Sequence, residues 1–306
     1  MGVSLEGSAR IDLWALRNGG RVERRPVTGV LLRDARFGDR EGIAPSLSGA
    51  FGYRFSDSIR ARVSAGTAFR LPTINELYRP FRVRSDITEA NAGLDPERFF
   101  TVDAGVEWTP SGNISCGLNI FHHWIDDAIA SVPLTDPVEA ETIAGFLPPG
   151  GAVAQRRNVE EARVWGVESR VRCQVSSRLS CNLRYLFSQS EFTRSPGQPL
   201  LEGKGFPQSP AHRLVAGFEV DPLDRWHLFG EIEFGSGQYD DALAGRRLDS
   251  WWTVRLGGHF EVSDTLILQA RVENLFDEEV ATGLSSSGLQ SIGLPRSFCL
   301  NVSHRF

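Results

Sequence analysis

The ten residues that end the chain, Ser297 to Phe306 (SFCLNVSHRF), put large side chains at every second position: Phe298, Leu300, Val302, His304 and Phe306. A strand that is apolar on one face and closes on an aromatic residue suits the last strand of an outer-membrane β-barrel. There one face meets lipid and the other a polar lumen. Few soluble strands end this way.

The same period of two recurs along the chain. Val3, Leu5, Gly7, Ala9, Ile11 and Leu13 alternate with Ser4, Glu6, Ser8, Arg10 and Asp12. Phe100, Val102, Ala104, Val106 and Trp108 alternate with Thr101, Asp103, Gly105 and Glu107. Trp252 to Phe260 and Leu266 to Glu273 repeat the pattern. Alternation at this period predicts strands, and polar faces carrying both Arg and Glu predict ion pairs between neighbouring strands in a wet lumen.

The connections fall into two sizes. Short polar turns lie near Ser56-Asp57, Pro110 to Asn113, Ser176 to Arg178, Asp221 to Asp224 and Ser263-Asp264. Between them run long segments: Leu71 to Glu97, Ser131 to Arg156, Thr193 to Pro210, Ser236 to Ser250 and Asp277 to Pro295. Short turns on one side and long loops on the other are the bacterial barrel pattern. The expected fold is therefore all-β, an antiparallel transmembrane barrel. Roughly thirteen strands are expected, an odd number where single-chain bacterial barrels close with even ones, which points to part of a larger barrel.

Bulk composition agrees without revealing this. Mean hydropathy is −0.20, and no stretch approaches the roughly 20 apolar residues of a membrane helix. A net charge of −5, with Lys204 the only lysine, argues against nucleic acid as a partner. The four cysteines, Cys116, Cys173, Cys181 and Cys299, form neither a disulfide framework nor a C-x-x-C metal spacing. Cys173 and Cys181 flank one turn on the same alternating face, so they are expected opposite each other; whether they pair as a disulfide is left open, and two small lipid-facing residues are the favoured reading. No basic segment followed by an apolar core opens the chain, so no signal peptide is read.

Linked motifs then carry a family resemblance. Ala68 to Trp108 (AFRLPTINELYRPFRVRSDITEANAGLDPERFFTVDAGVEW) resembles the F-R-x-P-T-x-N-E-L-Y, N-x-x-L-x-P-E and x-x-G-x-E-W run of TonB-dependent outer-membrane receptors. Asn158 with Arg163 to Glu168 (RVWGVE), Ser209 to His212 (SPAH), Arg271 to Asp277 (RVENLFD) and the terminal strand are similar to further elements of that family in the same order. The resemblance implies a barrel of about 22 strands around an amino-terminal plug. It implies import of a scarce metal-chelate or cobalamin-type nutrient, a ferric siderophore for example, with energy delivered by the TonB complex. Residues 1–306 then read as the carboxy-terminal portion of the barrel, without plug, TonB box or signal. The sequence does not decide whether Met1 is a true start or a truncation. The intact receptor is expected to be a monomer. About thirteen strands of an expected 22 would leave two edges unpaired in hydrocarbon, so the chain expressed by itself is expected to aggregate.

Candidate ligand residues lie on the long loops. Arg79, Arg82 and Arg84 suit an anionic chelate through forked hydrogen bonds, with lipopolysaccharide phosphate or solvent as the blander partner. Tyr239, Asp240 and Asp241 lie on the loop Ser236 to Ser250. The Pro72 to Tyr78 and Asn91 to Glu97 motifs are read as shaping their loop. Although His122, His123, Asp126 and Asp127 suggest a metal, adjacent strand residues face opposite ways, so no metal site is assigned. Trp108, Trp124, Trp226, Trp251 and Trp252 are read as interfacial girdle residues. Neither a cofactor nor a catalytic constellation is expected. Three other readings stand beside the receptor: a passive porin-like channel, a barrel enzyme using His227 or His259, and a soluble sandwich.

Overall fold

The computed structural model describes residues 2–83, 85–147 and 149–305. The candidate ligand residue Arg84, the terminal Phe306 and Met1 lie outside the described residues. Twelve strands pair in chain order into one antiparallel wall. They are β1 (Gly2–Leu16), β2 (Arg40–Arg54), β3 (Ile59–Arg70), β4 (Glu97–Ser111), β5 (Ile114–Pro133), β6 (Val153–Ser176), β7 (Leu179–Arg194), β8 (His212–Val220), β9 (Trp226–Gly235), β10 (Trp251–Ser263), β11 (Leu266–Glu273) and β12 (Ser297–His304). The count is twelve rather than thirteen. The first long connection contains two further alternating strands, Gly20–Arg24 and Leu31–Arg36, but these pair only with each other and stand off the wall. Among the described residues β1 pairs only with β2 and β12 only with β11, so the wall is an open arc.

Serine hydroxyls organise three of the short turns. Ser56 Oγ accepts from the Ser58 and Ile59 amides, Ser176 Oγ from Arg178, and Ser263 Oγ from Thr265. Such side-chain acceptors bend the chain within a few residues and bring the next strand back antiparallel.

Register carries the apolar face across the wall. Phe51, Val63, Ala104, Ile120, Val167 and Phe187 form one continuous row. None of its members is buried: Phe51, Val63 and Ile120 are exposed, Ile120 at 53%, and Ala104, Val167 and Phe187 are half-buried, while the neighbouring Leu118 is 51% exposed. An apolar surface this extensive is a membrane-facing surface. Stacked aromatic pairs mark both ends of the band, Trp226 with Phe260 by the short turns and Phe100 with Trp124 by the loops. Trp252, packed on Phe276, belongs to the loop-side group. Trp251 does not: one residue away on a strand it faces the opposite side, where its ring covers Gly235.

The other face is polar and ion-paired. Arg62 meets Glu6 at 2.9 Å, Arg213 meets Glu233 at 2.6 Å, and Arg255 meets Glu231 at 2.5 Å. Glu107, Gly117 and Arg170 are successive partners on β4, β5 and β6. Arg170 reaches Glu107 by lying across the glycine, where an added Cβ would sit 2.7 Å from Arg170 Nε. A cavity of about 720 Å³ on this face is lined by Arg62, Asp103, Glu107, Asn119, Glu168 and Arg170, which makes it the concave, luminal side.

β5 and β6 run for 20 and 24 residues. Roughly 10 residues cross a bilayer, so both stand far above the apolar band on the loop side. Their upper parts hold the main hydrophobic cluster: Ile125, Ala128, Val132, Val159 and Ala162 with Phe192 of β7, covered by Leu201 and Ala242 from two of the loops.

Gly166, in the RVWGVE motif, packs under the Phe121 ring; a Cβ there would meet Phe121 Cζ at 2.7 Å and press on the Phe187 carbonyl. Gly166→Val is expected to cost about 1–3 kcal/mol by overpacking. It should lower the temperature at which the folded species loses its compact gel mobility. Gly112→Ala, in a turn with open space around it, should leave that temperature unchanged.

Candidate functional site

Six long connections stand together at one end of the wall, and polar side chains tie them to one another. The motif residues of the 71–96 loop form the first tie. Thr73 caps α1 (Ile74–Tyr78), accepting from the Glu76 amide while Glu76 accepts from the Thr73 amide at 2.8 Å, a reciprocal capping box. Arg70, at the end of β3, grips Glu76 with two nitrogens, at 2.9 and 3.2 Å, and Glu97 with Nε. Glu97, 7% exposed, also accepts from the Ile129 amide at 2.6 Å. At that point β4 has ended and β5 continues, so the carboxylate replaces a ladder acceptor. Leu77 and Leu94 are buried beneath the loop. Asn158 closes it by bonding the Asp95 amide and the Asp95 and Asp127 carbonyls. The F-R-x-P-T-x-N-E-L-Y, L-x-P-E and N-x(n)-R-x-x-G-x-E residues therefore build the loop and join it to the wall.

The 17–39 connection, whose hairpin was not anticipated from the sequence, docks on the 71–96 loop. Arg21 pairs with Glu89 at 2.7 Å, with Glu89 only 3% exposed, and Arg33 adds a second cation at 3.7 Å. Tyr78 stacks on Phe37 and leaves room only for hydrogen at Gly19, where a Cβ would lie 2.7 Å from its hydroxyl. The 134–152 loop, with α2 (Pro137–Ala144), joins through a short parallel ladder of Val153 to Gln155 with Ile87 to Glu89.

The ligand candidates separate. Arg79 is exposed, with no side-chain partner among the described residues. Arg82 lies over the Phe146 ring at 4.7 Å, a cation–π contact between loops. Tyr239 is half-exposed and its carbonyl accepts from the Gln208 amide. Asp240 uses both oxygens inside the array, accepting from Gln208 Nε2 at 2.6 Å and from the Leu284 amide at 2.9 Å. Asp241 turns its own loop, accepting from the Gly245 and Arg246 amides. Arg79 and Arg82 stand on the 71–96 loop and Tyr239 and Asp240 on the 236–250 loop, and among the described residues no hydrogen bond, ion pair or ring contact joins the two groups. Sequence reasoning missed Asp86, which joins three loops: it accepts from the Ala152 amide at 3.0 Å and from the Ser286 amide at 3.0 Å.

His122 stacks on Trp124 at 4.0 Å on the apolar face, while His123 on the polar face lies 3.7 Å from Asp103. No group of three or more His, Cys, Asp or Glu capable of holding a metal occurs among the described residues. His227 bonds Asp221 at 2.8 Å and stacks on His259. Cys173 and Cys181 are directly opposite in the β6–β7 register, and both are free thiols.

Comparison with known proteins agrees with this architecture. The sequence model of the family described as "TonB dependent receptor-like, beta-barrel" matches residues 2–275. An iron-regulated outer membrane virulence protein of Vibrio cholerae is 26% identical over 88% of this chain and 40% of its own length. A vitamin B12 transporter of Vibrio vulnificus is 24% identical over 87% of this chain and 36% of its own. The solved structure of the copper transporter OprC superposes with a TM-score of 0.77 at 17% identity, over 99% of this chain and 45% of that one. The ferric-catecholate import receptor Fiu of E. coli K12 superposes at 0.72, with 15% identity, over 99% of this chain and 42% of that one. These define a bacterial outer-membrane receptor barrel. The chain belongs to the TonB-dependent receptor-like β-barrel family, and it spans 40% or less of the length of these two relatives.

Arg70→Ala leaves Glu76 and Glu97 without their cation and is expected to destabilise the loop by on the order of 3 kcal/mol. Amide hydrogen exchange across residues 71–96 should accelerate, whereas Arg79→Ala should leave it unchanged. Acid provides a second check. Burial of Glu76 opposes its ionisation, but hydrogen bonds from Arg70 and Thr73 outweigh that and hold its carboxyl below the usual range. Burial likewise opposes ionisation of Asp86, and bonds from Ser286 and Ala152 prevail. A depressed folded value means that each group contributes fully above its unfolded value and loses that contribution as pH falls through the folded one. The mobility of a nitroxide at Leu289 should stay constant from pH 8 to 5 and rise only below about pH 4; onset near pH 6 would implicate histidine instead.

Proposed function

We propose that this chain is the barrel region of an outer-membrane receptor that takes up a scarce nutrient of the metal-chelate or cobalamin type. The loop array faces the medium, and transport is driven through TonB. The observation that carries this reading is the loop architecture above a polar, concave wall. A passive pore needs an unobstructed mouth, whereas here the 195–211 and 236–250 loops send Leu201 and Ala242 into the core of the upper wall, and all six connections are cross-tied. The relatives support it by name, one iron-regulated and one a vitamin B12 transporter. Lipopolysaccharide is the expected lipid neighbour of the loop-side aromatic girdle. Metal and cargo are substrates in this reading, not resident groups. Residues 1–306 form one structural portion of that receptor, and transport belongs to the whole receptor.

The test is uptake by iron-limited cells with and without the gene. Radiolabelled cyanocobalamin and a set of ferric siderophores are supplied separately. Saturable accumulation of one of them, lost with the gene and abolished by a protonophore, is the expected result. Unsaturable, energy-independent passage of small sugars through the purified protein in liposomes would favour the porin-like channel.

A further inference from the structure

The connection between β11 and β12 contacts loops from the other half of the array. Its hairpin, Ala281–Leu284 against Gln290–Ile292, ends in a turn where Gly288 takes φ +78° and the Gly288 amide donates to the Ser285 carbonyl. The root of the loop is held firmly. Asn274 donates to the Glu278 and Leu294 carbonyls and accepts from the Glu278 amide, and the Arg296 amide donates to Asp277. Halfway along, Asp240 accepts from Leu284 and Gln208 lies against the Thr282 carbonyl.

The tip is held differently. Ser286 donates its amide and its hydroxyl to Asp86, and its hydroxyl lies 3.2 Å from the Gly150 carbonyl. Asp86 stands on the loop between β3 and β4, and Gly150 on the loop before β6. Five strand spacings separate β6 from β11, about 24 Å along the wall, so this contact joins loops that belong to widely separated strands. The side-chain tie at its far end centres on one carboxylate.

We infer that residues 274–296 form a strap across the mouth of the barrel, fixed at its root and latched at its tip by Asp86, and that release of this latch opens the route from the medium to the luminal face. The tip itself supports a releasable rather than a permanent closure. Ser285 to Gln290 are largely exposed, whereas the root includes the buried Asn274. The strap's tip thus meets the far loops through a small polar contact, whereas the loops beside it, 195–211 and 236–250, are seated by Leu201 and Ala242 in the apolar cluster of the upper wall. This deepens the proposed receptor function, since the strap would regulate access to the same loop-lined mouth.

The test needs no cargo. Cys299 is exposed and sits on the luminal side of β12, opposite Arg271. In the whole receptor Cys116, Cys173 and Cys181, with any cysteine outside residues 1–306, are changed to serine, and whole cells carrying it in their outer membrane are treated with a membrane-impermeant polyanionic maleimide dye. The rate of Cys299 labelling is then read. Asp86→Ala should label about tenfold faster than its parent, as expected for a closed population largely converted to an open one, with Asp86→Asn in between. Ser286→Ala, which removes one exposed hydroxyl, should move the rate in the same direction by a smaller factor, and it carries the test if Asp86→Ala does not reach the membrane. A paired nitroxide distance between Ser287 and Glu141 should broaden and lengthen in the same order. Unchanged labelling with an unchanged distance in these variants overturns the latch. Because neither readout depends on a nutrient, that failure is distinct from failure of the uptake experiment, which would remove the receptor reading instead.

Discussion

Each transmembrane strand of this protein has to meet two solvents within one backbone spacing. Hydrocarbon on one side leaves no water to satisfy amides and carbonyls, so neighbouring strands must satisfy them in register. The antiparallel ladder is therefore the interaction on which everything else depends. Once β4, β5 and β6 are in register, Leu118 and Ile120 have only one direction available, and Gly105, Gly117, Arg170 and Glu168 have the other. Slippage by one residue would put Arg170 into lipid and Leu118 into the lumen. The ion pair that Arg170 makes across Gly117 with Glu107 is a consequence of that register rather than its cause, and as an exposed pair it adds little stability of its own.

Above the membrane the same logic is handed to side chains. β4 stops at Glu97 while β5 runs on, and the carboxylate of Glu97 takes the place of the missing strand at Ile129. Arg70 neutralises it, and Glu76 of the capping box shares that cation. A single arginine thus connects the end of a transmembrane strand, the cap of a loop helix and the extended part of the wall. The buried Arg21–Glu89 pair repeats the device for the first hairpin. Such buried charges are costly to leave alone and tolerable together, so each loop holds its place only in the presence of its neighbour.

The strand pattern was readable because it rests on a period of two and on turn residues adjacent in sequence. Val3 to Leu13, Phe100 to Trp108 and Trp252 to Phe260 took the predicted form, and the serine turns fell where polar residues cluster. The first long connection was not recognised, because the short strands around Val22 and Leu32 satisfy each other and add nothing to the wall. Trp251 was assigned to the girdle by residue type, although parity with Trp252 excludes both from one face. Less of the loop array was legible. The Arg70, Glu76 and Glu97 motif marked a structural loop, but the partnership of Asp86 with Ser286 joins residues 200 positions apart, and no local pattern announces it. Asp240 was conspicuous beside Tyr239 for the same local reasons that make any loop acid conspicuous, and only three-dimensional placement shows its oxygens engaged by Gln208 and Leu284.

The central claim is that one face of the wall meets lipid and the other a wet lumen, in the phase set by this register. It is tested most directly by placing a nitroxide in turn at positions 117 to 122 of β5 in native outer membranes and measuring its collision rates with oxygen and with a water-soluble nickel chelate. Leu118, Ile120 and His122 should favour oxygen, and Gly117, Asn119 and Phe121 the nickel chelate, alternating without a break. Equal accessibility along the strand, or alternation in the opposite phase, would contradict the account.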